Sequence, residues 1–130
     1  MAKAIAFGTF DGFHPGHKFY LDSAAAHGDL TVVVARDSTV MKVKGRAARR
    51  NEQERLTDLQ TAGYNAILGS ESDKYAVISQ IQPDTICLGY DQEAFTEKLS
   101  EACKERGVRA EILRMEAFHP ERYKSSILNR

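Results

Sequence analysis

Ten consecutive residues, Gly8-Thr9-Phe10-Asp11-Gly12-Phe13-His14-Pro15-Gly16-His17, hold most of the chemistry-bearing types that lie close together in this chain. They follow a short apolar run, Ala4-Ile5-Ala6-Phe7, and precede an apolar pattern of helical spacing. That order reads as strand, tight loop and helix start. A helix N-terminus presents unpaired N–H groups and partial positive charge, which suits a phosphate. His14 and His17 can add imidazole donors to the same anion. Gly8 and Gly16 allow backbone to approach a ligand where a side chain would block it. No Cys or Glu stands at ligand spacing beside the histidines, so no metal site is expected there.

A second concentration of charge lies further on. Lys42, Lys44, Arg46, Arg49 and Arg50 fall within nine positions with no acid among them. On composition this is either a solvated basic loop or a loop that brings cations onto a polyphosphate. Two further polar clusters are Gly89-Tyr90-Asp91-Gln92, after the apolar run ending at Leu88, and Lys124-Ser125-Ser126 near the end of the chain. No Gly-x-Ser-x-Gly is present, and Cys87 and Cys103 lack a basic setting. A covalent enzyme intermediate is therefore not expected. Direct in-line phosphoryl or nucleotidyl transfer fits, because there a protein chiefly positions reactants and stabilises charge.

The elements that must position these residues can be read from periodicity. Strands are expected at 3–8, 30–35, 65–69, 84–88 and 108–113. Helices are expected at 16–27, 51–62, 73–82 and 93–106. Asn51 with Glu54 forms a capping-box pair at the start of one helix, and Gly63 ends it. Residues 36–50 read as a loop, and 123–128 as a final helical turn. Strict alternation of strand and helix predicts an α/β fold, a Rossmann-like, doubly wound parallel sheet of five strands with helices on both faces. In such a sheet, ligands bind beyond the carboxyl ends of the strands, where the clusters named above fall.

The 130 residues suit one domain, 1–130, with 42% apolar content to build its core. Eighteen basic residues balance eighteen acidic ones, which argues against a general nucleic-acid binder. Cys87 and Cys103 have no Cys-x-x-Cys partner and read as reduced thiols. There is no signal peptide and no apolar run of about 18 residues, so a cytoplasmic protein that does not enter a membrane is expected.

The first stretch resembles the Gly-Thr-Phe-Asp-x-x-His-x-Gly-His signature of the cytidylyltransferase-like nucleotidyltransferases, and every fixed position is matched. The resemblance implies that His14 and His17 hold a triphosphate and stabilise the pentacoordinate α-phosphorus. It implies a phosphate-binding lysine at Lys44 and nucleotide contacts from Gly8, Thr9, Phe10, Gly16, Arg55, Gly89, Asp91, Ser125 and Ser126. The family's C-terminal phosphate loop is only partly matched: the hydroxyl pair is present and its glycine is not. Val34-Ala35-Arg36-Asp37, Ile67-Leu68-Gly69-Ser70-Glu71 and Leu88-Gly89-Tyr90-Asp91-Gln92 resemble the archaeal-type FAD synthetases. That resemblance implies ATP and FMN as substrates and Mg²⁺ arriving with the nucleotide. Asp11, Asp37, Tyr90 and Gln92 are candidates for the acceptor side. The alternatives there are that Asp11 caps the loop or the first helix, that Asp37 orients a loop arginine or recruits a metal through water, and that Tyr90 is a packing aromatic. A homodimer is the assembly it suggests. Two other readings stay open: a CTP-dependent transferase acting on glycerol 3-phosphate or a similar phosphorylated alcohol, and a nucleotide-binding module without turnover.

Overall fold

The structure is a computed structural model that describes residues 2–12, 15–70, 75–88 and 93–114, without the side chains at 43–44, 93–98 and 114. In chain order the elements are β1 (Lys3–Gly8), α1 (Pro15–Ala25), β2 (Asp29–Val34), α2 (Asp37–Lys44) and α3 (Glu52–Thr61). Then follow β3 (Ala66–Leu68), α4 (Ala76–Ile81), β4 (Thr85–Leu88), α5 (Glu93–Glu105) and β5 (Glu111–Arg114). The five strands form one sheet in the order β3-β2-β1-β4-β5, and every pair is parallel. This is the α/β, Rossmann-like sheet expected from the alternation of elements.

Period-two alternation sorts the strand side chains onto two faces. Ile5 and Phe7 of β1, Val33 of β2, and Ile86 and Leu88 of β4 meet Val77 and Ile78 of α4 and Leu99, Ala102 and Cys103 of α5. The intervening residues, Ala6, Val32, Val34 and Cys87, meet Leu21 and Ala24 of α1 and Leu59 of α3 on the other face. Both faces are therefore covered, which is why β1, β2 and β4 are nearly continuous apolar runs. Each fully buried Leu or Ile contributes on the order of 2 kcal/mol of transfer free energy. Burial pushes the Cys87 thiol up to about 11, so this cysteine stays protonated and inert inside the sheet.

The chain order reverses beside β1. From β1 it steps to β2 and β3 on one side, and from α4 it returns to β4 on the other. The β1/β4 boundary is the topological switch point, where ligands of open α/β sheets bind beyond the carboxyl ends. Those ends are Gly8 and Leu88.

One element departs from expectation. The loop expected over 36–50 begins with an eight-residue helix, α2. Its apolar Val40 is buried, its first N–H group at Asp37 donates to the Glu52 carboxylate, and Gly45 closes it in the left-handed region at φ 72° with its N–H on Met41 O. The basic charge that made the stretch read as a loop is carried on this helix and on the 45–50 turn after it. The strand expected at 108–113 is shifted to Glu111–Arg114, because Val108 N donates to Cys103 O and its segment completes the end of α5.

Candidate active site at the carboxyl ends of the strands

The loop after β1 is folded around Phe10. This residue takes φ 56°, an unusual value for a side chain larger than glycine, and its ring turns back beneath Gly8 and is buried. A Cβ on Gly8 would lie 2.6 Å from Phe10 Cζ, so the close approach requires glycine there. The Phe10 ring meets the His17 imidazole edge-on, with centroids 5.2 Å apart, and stacks on Tyr20 at 6.3 Å. The Tyr20 hydroxyl lies 2.9 Å from Phe7 O and 2.8 Å from Cys87 O, spanning the carboxyl ends of β1 and β4. His17 stands in the first turn of α1, whose first residue is Pro15, a residue suited to that position. The aromatic stack thus fixes an imidazole at a helix N-terminus over the switch point. Gly16 lies in the same turn.

Arg55 of α3 is fully buried. Its Nε donates to Arg50 O, its Nη1 to Thr9 O and Ala35 O, and its Nη2 to Asp37 Oδ1 at 2.7 Å. One guanidinium thereby ties together the loop after β1, the end of β2, the start of α2 and the entry to α3. Arg55 was expected to contact the nucleotide; in this arrangement its side chain is wholly buried and bonded to these protein groups. Asp37, expected near the acceptor, is its ion-pair partner and keeps about half of its side chain exposed. The start of α2 has a second brace. Glu52 accepts from Asp37 N at 2.8 Å and from Arg36 Nη1 at 3.0 Å, and Arg36 Nε donates to Gly69 O after β3.

Asp11 was also expected near the acceptor. Its carboxylate accepts the backbone N–H of Arg49 at 2.8 Å and of Arg50 at 2.9 Å. These bonds, led by the one from Arg49, hold its pKa below the ordinary value against the opposing effect of burial. Arg50 in turn grips Asp58 of α3 with two bonds of 2.7 and 3.0 Å. The capping box at the start of α3 is present as expected: Asn51 Oδ1 accepts Glu54 N, and Glu54 Oε1 accepts Asn51 N. Between the loop after β1 and the 45–50 turn lies a cleft of about 310 Å³. It is lined by Thr9, Asp11, Val40, Arg46, Ala47, Ala48 and Arg49. Two guanidinium-bearing residues thus border a space beside the loop after β1, an arrangement that can hold phosphate oxygens.

The structure brings Gly8, Thr9, Phe10, Asp11, Gly16, His17, Asp37 and Arg55 into one region. Lys44 is the last residue of α2, and its side chain falls outside the described residues. His14, Gly89, Tyr90, Asp91, Gln92, Ser125 and Ser126 also lie outside the described residues. Sequence reasoning missed Tyr20, Arg36 and Glu52 as positioning groups, since nothing in their spacing marks contacts 15 to 67 positions away. The start of α3 was the available signal for Glu52. The capping box predicts that start, and Glu52 is the helix's first residue.

A family model described as cytidylyltransferase-like matches residues 5–130. The chain belongs to the cytidylyltransferase-like family. Among its relatives, a protein named FAD synthase from Methanocella arvoryzae is 42% identical over 127 residues, covering 95% of this chain and 89% of that protein. A FAD synthase from Methanosarcina mazei is 40% identical over 116 residues, covering 88% of this chain and 77% of the relative. The crystal structure of a lipopolysaccharide core biosynthesis protein from Thermoplasma volcanium superposes with a TM-score of 0.75. It is 34% identical and covers 91% of this chain and 98% of its own. The cytidylyltransferase-like signature therefore sits where the sheet has its switch point, with its aspartate and second histidine held by the contacts described above.

Proposed function

We propose that this chain is a nucleotidyltransferase that joins ATP to FMN, giving FAD and pyrophosphate. The observation that carries the reading is the His17 imidazole in the first turn of α1, set edge-on against Phe10, together with the cleft that Thr9 and Asp11 of the same loop line with Arg46 and Arg49. The names of the archaeal relatives, FAD synthase, support FAD as the product. The matched flavin-branch segments around Arg36, Gly69 and Gly89 support the same substrates.

An oxygen of the FMN phosphate attacks the α-phosphorus of ATP, forming one P–O bond. The bond to the β-phosphate bridging oxygen breaks, and pyrophosphate leaves with that electron pair. His17 and His14 donate hydrogen bonds to the oxygens on which charge accumulates, and the helix N-terminus adds its partial positive charge. Lys44 reaches the departing phosphates. Mg²⁺ fits this site as a companion of the nucleotide: the carboxylate of Asp11 is engaged by backbone N–H groups and that of Asp37 by Arg55. Bound to the phosphates, it would neutralise their charge. The reaction belongs in the cytoplasm, in a homodimer.

Pyrophosphate release tests this directly. ATP and CTP are each combined with FMN and with glycerol 3-phosphate in the presence of Mg²⁺. Release with ATP plus FMN, with the mass of FAD appearing, is expected. Release with CTP and glycerol 3-phosphate would move the substrates. Nucleotide binding without release in any combination would mean a binding module. Lys44→Ala is expected to raise the KM for ATP about tenfold, since one phosphate-facing cation is lost, while kcat changes less. An unchanged KM would return Lys44 to a solvated role.

A further inference from the structure

The loop after β1 and the turn after α2 are joined by backbone groups on one side. Arg49 N and Arg50 N both donate to the Asp11 carboxylate, and Arg50 O accepts from Arg55, which also donates to Thr9 O. The guanidinium of Arg50 is turned to Asp58. Arg46 and Arg49 are exposed and are among the residues that line the cleft. At its other end the segment starts from Gly45, in the left-handed region, where α2 stops. Residues 45–50 thus form a short arch. Its near end follows from α2, and its far end hangs on one carboxylate and one buried guanidinium.

We infer that Asp11 is a positioning residue that buckles the Arg46–Arg49 segment onto the loop after β1, making this segment the wall of the cleft that faces phosphate. The bonds to Asp11 come from the main chain, so the arginine side chains are left to meet a ligand. The carboxylate spends its two oxygens on two adjacent N–H groups, and its charge is offset there rather than repelling an incoming anion. The ligand chemistry is a phosphate oxyanion, carried either by the nucleotide's outer phosphates or by the acceptor's monoester. What the wall does in turnover rests on the nucleotidyltransferase reading; that Asp11 fastens the wall does not.

Two measurements test the buckle and its use. Asp11→Asn keeps the size of the side chain, but its amide can accept only one of the two N–H bonds. Trypsin cleavage after Arg46 or Arg49 in the native protein should then speed up about tenfold, the change expected for loss of one hydrogen bond to a charged group. The free energy of global unfolding in urea should fall by no more than the same tenfold factor, about 1.4 kcal/mol, so that the protein stays folded while the segment opens. The kinetic arm is a cycle. Asp11→Asn should lower kcat/KM about tenfold in the wild type and less than about threefold in an Arg46→Gln, Arg49→Gln background, because there the wall it positions is already disabled. Whether the KM for ATP or for FMN rises in that background identifies the source of the phosphate. An unchanged trypsin digest overturns the buckle. A full tenfold loss in both backgrounds overturns its use, since Asp11 would then act on the reactants itself. If ATP and FMN are not the substrates, the trypsin result still stands, so failure of the buckle and failure of the functional reading remain distinguishable.

Discussion

Replacing Arg55 with methionine should destabilise the protein by about 3 kcal/mol or more, the cost of leaving the three carbonyls it serves without their donor. The guanidinium is wholly buried and serves three carbonyls and one carboxylate. Methionine fills a similar volume but donates nothing, so Arg50 O, Thr9 O and Ala35 O lose a donor inside the protein. Each such loss costs on the order of 1–3 kcal/mol. The Asp37 side of the pair contributes less, because 47% of that side chain is exposed and water can replace the cation there. Asp37→Asn is therefore the internal control, with an expected cost of about 1 kcal/mol or less. Urea denaturation of both variants checks the pair. Equal costs would mean that the carboxylate, not the set of carbonyls, is what Arg55 supports. A domain of this size is stable by only about 5–15 kcal/mol, so Arg55→Met removes a large share of the total. The loss falls at the junction of the loop after β1 with α2 and α3.

His17→Ala is expected to leave the fold standing and turnover nearly abolished. The imidazole lies at the start of α1 against the Phe10 ring. Its donor matters most when charge builds on the oxygens around the α-phosphorus, so kcat should fall on the order of a hundredfold or more. Affinity for ATP should change only a few-fold, since the helix N-terminus and the basic segment still hold the phosphates. Single-turnover kinetics beside equilibrium binding of ATP separates the two effects. Turnover within about threefold of wild type would remove His17 from the transition state, because loss of such a donor ordinarily costs far more. A parallel loss of ATP binding and of rate would make it a ground-state binding residue.

Some of this was legible before any coordinates. The fold class followed from alternation of apolar strand runs with helical spacing. The start of α3 followed from Asn51 and Glu54, and the passage from β1 to α1 from the glycine-containing run that begins at Gly8. These are local signals: a capping box spans three residues, and strand periodicity shows within six. The helix α2 was hidden. Its supports are Val40 reaching the interior and Glu52 accepting Asp37 N across 15 positions, and neither leaves a mark in the nearby charge pattern. Asp11 and Arg55 were read as ligand contacts because both fall in segments that resemble the family's site, Asp11 inside the Gly-Thr-Phe-Asp run and Arg55 in Glu54-Arg55-Leu56.

Apart from α2, the sequence alone determined which elements form among the described residues, in what order, and that phosphate-binding types cluster where strands give way to loops or helices, because propensity and periodicity act over one or two turns of chain. Only the tertiary structure decided the strand order β3-β2-β1-β4-β5, and with it which loops share a crevice. It alone turned Arg55 inward, set Asp11 on the peptide groups of Arg49 and Arg50, and left Arg46 and Arg49 lining the cleft. The physical reason is common to all three. A charged side chain takes its place by how completely its donors or acceptors are satisfied, and apart from Arg50 O the groups that satisfy Arg55 and Asp11 lie 18 to 46 residues away.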